Sequence, residues 1–224
     1  MKVLCISDSL GLPRDGVSYE ETWFYKLTTR FPHVHFISKF QRLQTTSVLK
    51  EKDYSSYYHP DIVIMQLGIC DCAPRIILQN DFKWLLLERV LNRINKNLFW
   101  KLIKKYKKRS PDVVMVTPEK FRGNVSRYFD NLINQEHVKK IIVIKIGTSN
   151  SEKLKKSSPF LRDNIEKYNH IYEEYASKSN GIVSVVDPLD SMKEEDFVED
   201  GYHVNGKGNT KIFEELYQEL KELL

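Results

Sequence analysis

Five short apolar runs rich in β-branched residues recur at residues 3–6, 34–38, 62–67, 140–146 and 181–186, and longer amphipathic stretches lie between them. Runs of this length, apolar at successive positions, suit strands buried on both faces. The stretches at 19–30, 118–135, 161–178 and 209–223 suit helices with one buried face. In 118–135, Phe121, Val125, Phe129 and Leu132 recur at three- and four-residue steps, and Ile212, Leu216 and Leu220 do so in the last stretch. Strands that alternate with helices must be joined by crossovers, so the expected fold class is α/β, a parallel five-stranded sheet with helices on both faces. A chain of 224 residues, 41% hydrophobic and 29% charged, with no repeat and no long linker, suits one domain spanning 1–224.

The net charge of +5 is unevenly distributed. Between Asp81 and Arg109 stand ten Lys or Arg against two acids, so the rest of the chain is net acidic. Within this segment residues 82–106 read as an inserted helix or helix pair, with Leu87, Leu91, Ile94, Leu98 and Leu102 as an apolar stripe and Val90 and Tyr106 beside it. Such a basic amphipathic insertion could pack on the domain, form a dimer contact, or lie on an anionic membrane surface or an acidic polysaccharide. Nucleic acid is not expected, because no recognition motif accompanies the charge. Cys5, Cys70 and Cys72 are too few for a disulfide framework and offer no zinc spacing, and the first residues read as a core strand. The expectation is a cytoplasmic protein, with the inner face of the membrane as a variant, and no metal or cofactor.

Three borders of these elements carry polar residues. The first strand ends in Ser7-Asp8-Ser9-Leu10, the third is followed by Gly68-Ile69-Cys70-Asp71, and Asp200-Gly201-Tyr202-His203 stands shortly before the last helix. A serine hydroxyl is a poor nucleophile until a base takes its proton, histidine suits that task near neutrality, and an aspartate can orient the imidazole. Ser9, His203 and Asp200 therefore form a candidate triad. Taken singly, each has a plainer reading: Ser9 as a helix cap, Asp200 as a helix-dipole partner and His203 as a surface residue. Asn205 is the better candidate for capping the last helix.

The three blocks, in this order, resemble the first, third and fifth blocks of the SGNH hydrolases, also called GDSL esterases. The similarity extends to "TPEKFRGNVSRYFDNLI" and "LRDNIEKYNHIYEEYA", which look like the helices flanking that family's fourth strand. The resemblance implies a flavodoxin-like three-layer α/β/α domain and a metal-free serine esterase, with Ser9 as nucleophile, His203 as base then acid, and Asp200 orienting it. The run from Gly68 to Arg75 also resembles a branch among bacterial surface-polysaccharide biosynthesis proteins.

Two departures from the family pattern stand out. "FQRLQTTSVL" lacks the glycine of the second block, where Leu43 stands, and Cys70 occupies the position of an asparagine that donates to the oxyanion. A thiol is a weak donor. Loss of one such donor typically costs about 100- to 1,000-fold in rate. Arg75 is near enough in sequence to supply a charged donor, or else to pair with Asp71. The expected oxyanion and substrate-binding set is Asp8, Leu43, Gly68, Cys70, Asp71 and Arg75.

The function these features point to is an acyl ester hydrolase or O-acyltransferase acting on O-acetyl groups of a bacterial polysaccharide or its precursor. The altered second and third blocks motivate a rival, a glycan-binding scaffold that keeps the fold. The basic insertion motivates another, a lipid esterase at a membrane surface.

Overall fold

The computed structural model describes residues 1–77, 82–106 and 109–224, with backbone alone for 104–106. Its five strands are β1 (Lys2–Ser7), β2 (His35–Phe40), β3 (Ile62–Gln66), β4 (Lys140–Ile144) and β5 (Val183–Val186). All pair in parallel, in the order β2-β1-β3-β4-β5. This is the flavodoxin-like order, in which the chain winds outward from β1 in one direction and then, from β3, in the other. The helices are α1 (Trp23–Arg30), α2 (Val48–Glu51), α3 (Tyr54–Tyr58), α4 (Ile69–Cys72), α5 (Phe82–Ile94), α6 (Leu98–Tyr106), α7 (Pro118–Ile133), α8 (Glu152–Ser157), α9 (Leu161–Lys178) and α10 (Gly206–Leu220).

Successive side chains of a strand point to opposite faces, and the two cores divide accordingly. Leu4 and Ile6 of β1, Val63 and Met65 of β3, and Ile141 and Val143 of β4 pack against Phe121, Val125, Phe129, Tyr168 and Tyr172 of α7 and α9. Val3, Cys5, Ile62, Ile64, Ile142 and Ile144 meet Trp23, Leu27, Ile212 and Leu216 of α1 and α10 on the other face. Trp23 is wholly buried, and its indole N–H is satisfied by Gln66 Oε1 at 3.0 Å. All three cysteines are buried and free. Among the described residues no helix is long and apolar enough to cross a membrane.

Three element boundaries differ from the sequence reading. The edge strand β2 runs on to Phe40, because an edge position pairs on one side only and needs no continuous apolar run. The stretch 19–30 divides into a 3-10 turn, Tyr19–Glu21, and α1, with Thr22 between them capping Tyr25. Helix α10 begins at Gly206, three residues before the expected start, because Asn205 Oδ1 accepts from Lys207 N and Gly208 N and sets the first turn there.

The inserted segment is a helical hairpin, and the continuous apolar stripe expected for it is corrected. Asn97 takes a left-handed φ of 68° between α5 and α6, so the period restarts there. Leu87, Val90 and Ile94 are exposed, while Phe99 and Ile103 are buried with Ile77 against the partly covered Trp84, Leu91 and Trp100. Trp100 Nε1 donates to Glu88 Oε1 at 2.8 Å across the hairpin. Asp81 and residues 107–108 at the ends of the basic segment lie outside the described residues.

Candidate active site

β1 delivers Ser9 to the carboxyl end of the sheet, beside the point where the strand order reverses, which is where ligands bind in open α/β sheets. The turn that follows, Ser9–Gly11, is capped by Asp8, whose Oδ1 accepts from Leu10 N at 2.8 Å. Capping is thus the work of Asp8, and the Ser9 hydroxyl is directed elsewhere. Ser9 Oγ stands 2.9 Å from His203 Nε2.

The loop before α10 fixes the imidazole from behind. Asp200 Oδ2 lies 2.6 Å from His203 Nδ1, and Oδ1 accepts the backbone N–H groups of Tyr202 at 3.1 Å and His203 at 3.0 Å. Gly201, at φ 79°, makes the tight turn that lets one carboxylate reach all three donors. Val198 N donates to His203 O at 2.8 Å and Asn205 N to Asp196 O at 2.9 Å, which pin the loop to its neighbours. Burial pushes the His203 pKa below its ordinary value, against the hydrogen bond that His203 donates to Asp200 and with the help of the nearby Arg14 and Arg42 charges. The imidazole therefore stays neutral, and able to accept a proton, to lower pH than a free histidine. Burial alone would raise the Asp200 carboxyl, but its hydrogen bonds to His203 and Tyr202 outweigh that and hold it low, as the anion.

Ser9 and His203 open on a cleft of ≈ 1010 Å³ whose wall also includes Leu43, Cys70 and Arg75. Leu43 is the third residue of a four-residue turn closed by Gln44 N donating to Gln41 O at 3.2 Å, and its φ is +60°. That position of a type II turn demands a positive φ and usually takes glycine. Leu43 thus holds the backbone conformation of a glycine at the position where the family resemblance led one to be expected. The loop is clamped on both sides: Gln44 Nε2 donates to Ser7 O at 3.0 Å and Lys39 O at 3.1 Å, and Thr46 N and Oγ1 donate to Asp71 Oδ1 at 2.9 and 2.5 Å. Among the described residues the backbone N–H groups of Ser9 and Leu43 make no hydrogen bond.

The other three residues of the expected set lie behind the cleft instead of on its wall. Asp8 and Asp71 are fully buried. Asp71 holds Thr46, so the expected alternative of an Arg75–Asp71 pair is not formed. Arg75 turns the other way, with Nη2 3.0 Å from Met115 Sδ. Gly68 sits at φ 125°, where a Cβ would come within 2.3 Å of the Ile146 side chain, so a glycine here serves a positive φ and leaves room for that side chain. Burial pushes Asp8 up to about 7, with the charge of Asp71 adding to it, and Asp71 up to about 6. The Cys70 thiol is likewise pushed up by burial and the two neighbouring carboxylates, which removes it as a thiolate near neutrality.

Sequence reasoning missed Arg14, Arg42, Arg109 and Tyr202, which also line the cleft. Arg14 Nη2 donates to Ser9 O, and the Tyr202 ring centroid is 4.5 Å from that of His203. The signal was faint: Arg14 and Arg42 lie within five residues of Ser9 and beside Leu43, on loops that follow β1 and β2.

No protein-family model matches the sequence, and neither does any curated protein sequence. Solved structures do match over nearly the whole chain. A lipase/acylhydrolase from Enterococcus faecalis is similar with a TM-score of 0.67 at 14% identity, over 100% of this chain and 96% of its own. TesA gives 0.63 at 15% identity, over 100% of both chains. A catalytic mutant of Axe2, an acetylxylan esterase from Geobacillus stearothermophilus, gives 0.62 at 15%, over 98% of this chain and 93% of its own. At these identities the likeness is one of fold, and the chain has the three-layer α/β/α architecture of these esterases and lipases.

Proposed function

We propose that the chain is a serine esterase of the SGNH type that removes or transfers acetyl groups on sugar hydroxyls of a polysaccharide or its precursor. The observation that carries this reading is the run of two short contacts, Ser9 Oγ to His203 Nε2 at 2.9 Å and His203 Nδ1 to Asp200 Oδ2 at 2.6 Å, at the mouth of a cleft. In the proposed reaction Ser9 Oγ attacks the ester carbonyl as its proton passes to His203 Nε2. The tetrahedral oxyanion collapses to an acyl-serine, and the sugar alkoxide leaves with the proton from His203. Water then attacks the acyl-serine with His203 again as base, giving acetate and free Ser9; a sugar hydroxyl in its place gives transfer. Asp200 holds the imidazole tautomer and its cation. The backbone N–H groups of Ser9 and Leu43 are the proposed oxyanion donors, and Cys70 fills space where the family has an amide. The polysaccharide substrate is supported by the acetylxylan esterase among the fold neighbours and by the Gly68 to Arg75 resemblance.

The test is covalent labelling with a fluorophosphonate, read by intact mass, beside turnover of p-nitrophenyl acetate. One adduct at Ser9 is expected, with loss of activity by about 1,000-fold or more in Ser9→Ala and in His203→Ala. Equal labelling or turnover in Ser9→Ala would remove the triad. The acid limb of the pH–kcat/KM profile should fall below the ordinary histidine pKa, in line with the lowered His203.

A further inference from the structure

Four arginines converge on the proposed esterase cleft: Arg14 and Arg42 from the loops after β1 and β2, and Arg75 and Arg109 from the two ends of the chain segment that carries the hairpin. Their acidic company is slight. Of the carboxylates on the same wall, Asp200 is committed to His203 at 2.6 Å and Glu199 to Lys153 at 2.6 Å, which leaves Asp15. None of the four arginines forms an ion pair among the described residues.

Two of them are fixed in place rather than left to solvent. Arg14 donates to Ser9 O, and Arg109 Nη1 donates to Pro74 O at 2.7 Å. Arg75 Nε is buried and has no hydrogen-bond partner. Burial lowers the Arg14 pKa and the Arg42 charge adds to this, against the opposing charges of Asp200 and Tyr202. Gathering unpaired like charges in a partly dry cleft costs stability and has no packing purpose. The planar fork of a guanidinium matches the two oxygens of a carboxylate or phosphate, and a cleft lined by one sign of charge concentrates ligands of the other.

We propose that the ester this cleft accepts is anionic, an acylated sugar bearing a carboxylate or phosphate that Arg14 and Arg42 hold beside Ser9, with Arg75 and Arg109 facing the remainder of the glycan. The inference rests on the esterase reading, and its test separates the two. The probes are matched acetate esters of a neutral hexoside, the corresponding uronoside and a hexose 6-phosphate, assayed with the wild type and with Arg42→Gln, whose side chain is exposed and whose fold is checked by circular dichroism. The expected result is a kcat/KM for at least one anionic ester about tenfold or more above the neutral one, reduced by high salt, with that ratio falling about tenfold in Arg42→Gln. The stronger of the two anionic esters identifies the group recognised. Equal turnover of neutral and anionic esters overturns the proposal and leaves the esterase standing. If no ester is turned over, the esterase reading fails, and binding of the deacetylated uronoside and hexose phosphate to Ser9→Ala, followed by NMR shifts, decides the charge question alone. Preference for either anion over the neutral hexoside sustains the proposal, and no preference overturns it.

Discussion

The sheet body and the helical hairpin are built on opposite terms. In the body, β1, β3 and β4 are buried on both faces, and two apolar clusters close over them. In the hairpin the buried cluster is separate and small, Ile77, Phe99 and Ile103, while Phe82 is 75% and Ile94 is 74% exposed. A body so closely packed has stability in hand and can carry local costs at its functional end: an unpartnered carboxylate oxygen on Asp8, a leucine in a left-handed turn, and cleft arginines that form no ion pair among the described residues. The hairpin holds little in reserve, and each of its buried side chains matters to it alone.

The largest expected effect sets one core aromatic against another. Trp23→Ala removes a wholly buried ring and one of the two hydrogen bonds to Gln66 Oε1, leaving that from Ser7 Oγ, and should lower global stability by about 3–5 kcal/mol, a large part of a typical 5–15 kcal/mol. Phe99→Ala empties an equally buried site, 1% exposed, but in the separate cluster. The hairpin should open while the body holds, so amide exchange quickens over 82–103 and the main denaturation midpoint scarcely moves. A matching fall in that midpoint for both variants, measured by urea titration, would show that the hairpin belongs to the cooperative body after all.

This contrast also explains what could be read in the sequence. The body was legible because short β-branched runs and three- and four-residue apolar steps have one geometric meaning each when they alternate, and α9 begins and ends where its pattern does. The contact of Ser9, His203 and Asp200 could be anticipated because the three residues sit on borders that the pattern itself exposes. A helix pair was among the readings of the inserted segment, but its apolar stripe was misread because Leu87 to Leu102 keeps helical spacing across Asn95 to Asn97, and spacing carries no record of a φ of 68° at Asn97. Of the cleft arginines only Arg75 was expected; Arg14, Arg42 and Arg109 escaped because the convergence of separate loops is a property of topology. Asp8, Gly68 and Asp71 lie behind the cleft wall and not on it, since a motif gives neighbours along the chain and not which side chain turns inward.

A smaller effect comes from the cost carried at Asp8. Its folded pKa of about 7 lies above the ordinary 3.8, so the folded state keeps a proton that the unfolded chain has already released. The linkage sign follows: this group's contribution to stability is intact below the unfolded value and is lost as pH rises toward the folded one. Asp8→Asn keeps an oxygen for Leu10 N and never ionises. Relative to the wild type it should therefore gain stability between about pH 4 and about pH 7 and hold the gain above that, with Tm differences measured across the range. A constant difference at all pH values would mean that Asp8 is not neutral in the folded body.

The smallest expected effect is at Leu43, where the body tolerates strain in a side chain that is 64% exposed. A left-handed conformation costs a non-glycine residue roughly 1–2 kcal/mol, and Leu43→Gly relieves it. Glycine in turn loses about 0.5–1 kcal/mol more backbone freedom on folding, so the net gain should be about 1 kcal/mol or less. The proposed oxyanion donor at this position is the main-chain N–H, which glycine retains, and the clamps from Gln44 and Thr46 that aim it are untouched. Turnover of p-nitrophenyl acetate should then stay within about threefold of the wild type, whereas Thr46→Ala, which loosens the clamp, should lower it further than Leu43→Gly does. A large loss in Leu43→Gly with an intact fold would assign the work at this position to the leucine side chain, and the oxyanion donors would have to be sought at Ser9 N–H and the arginines.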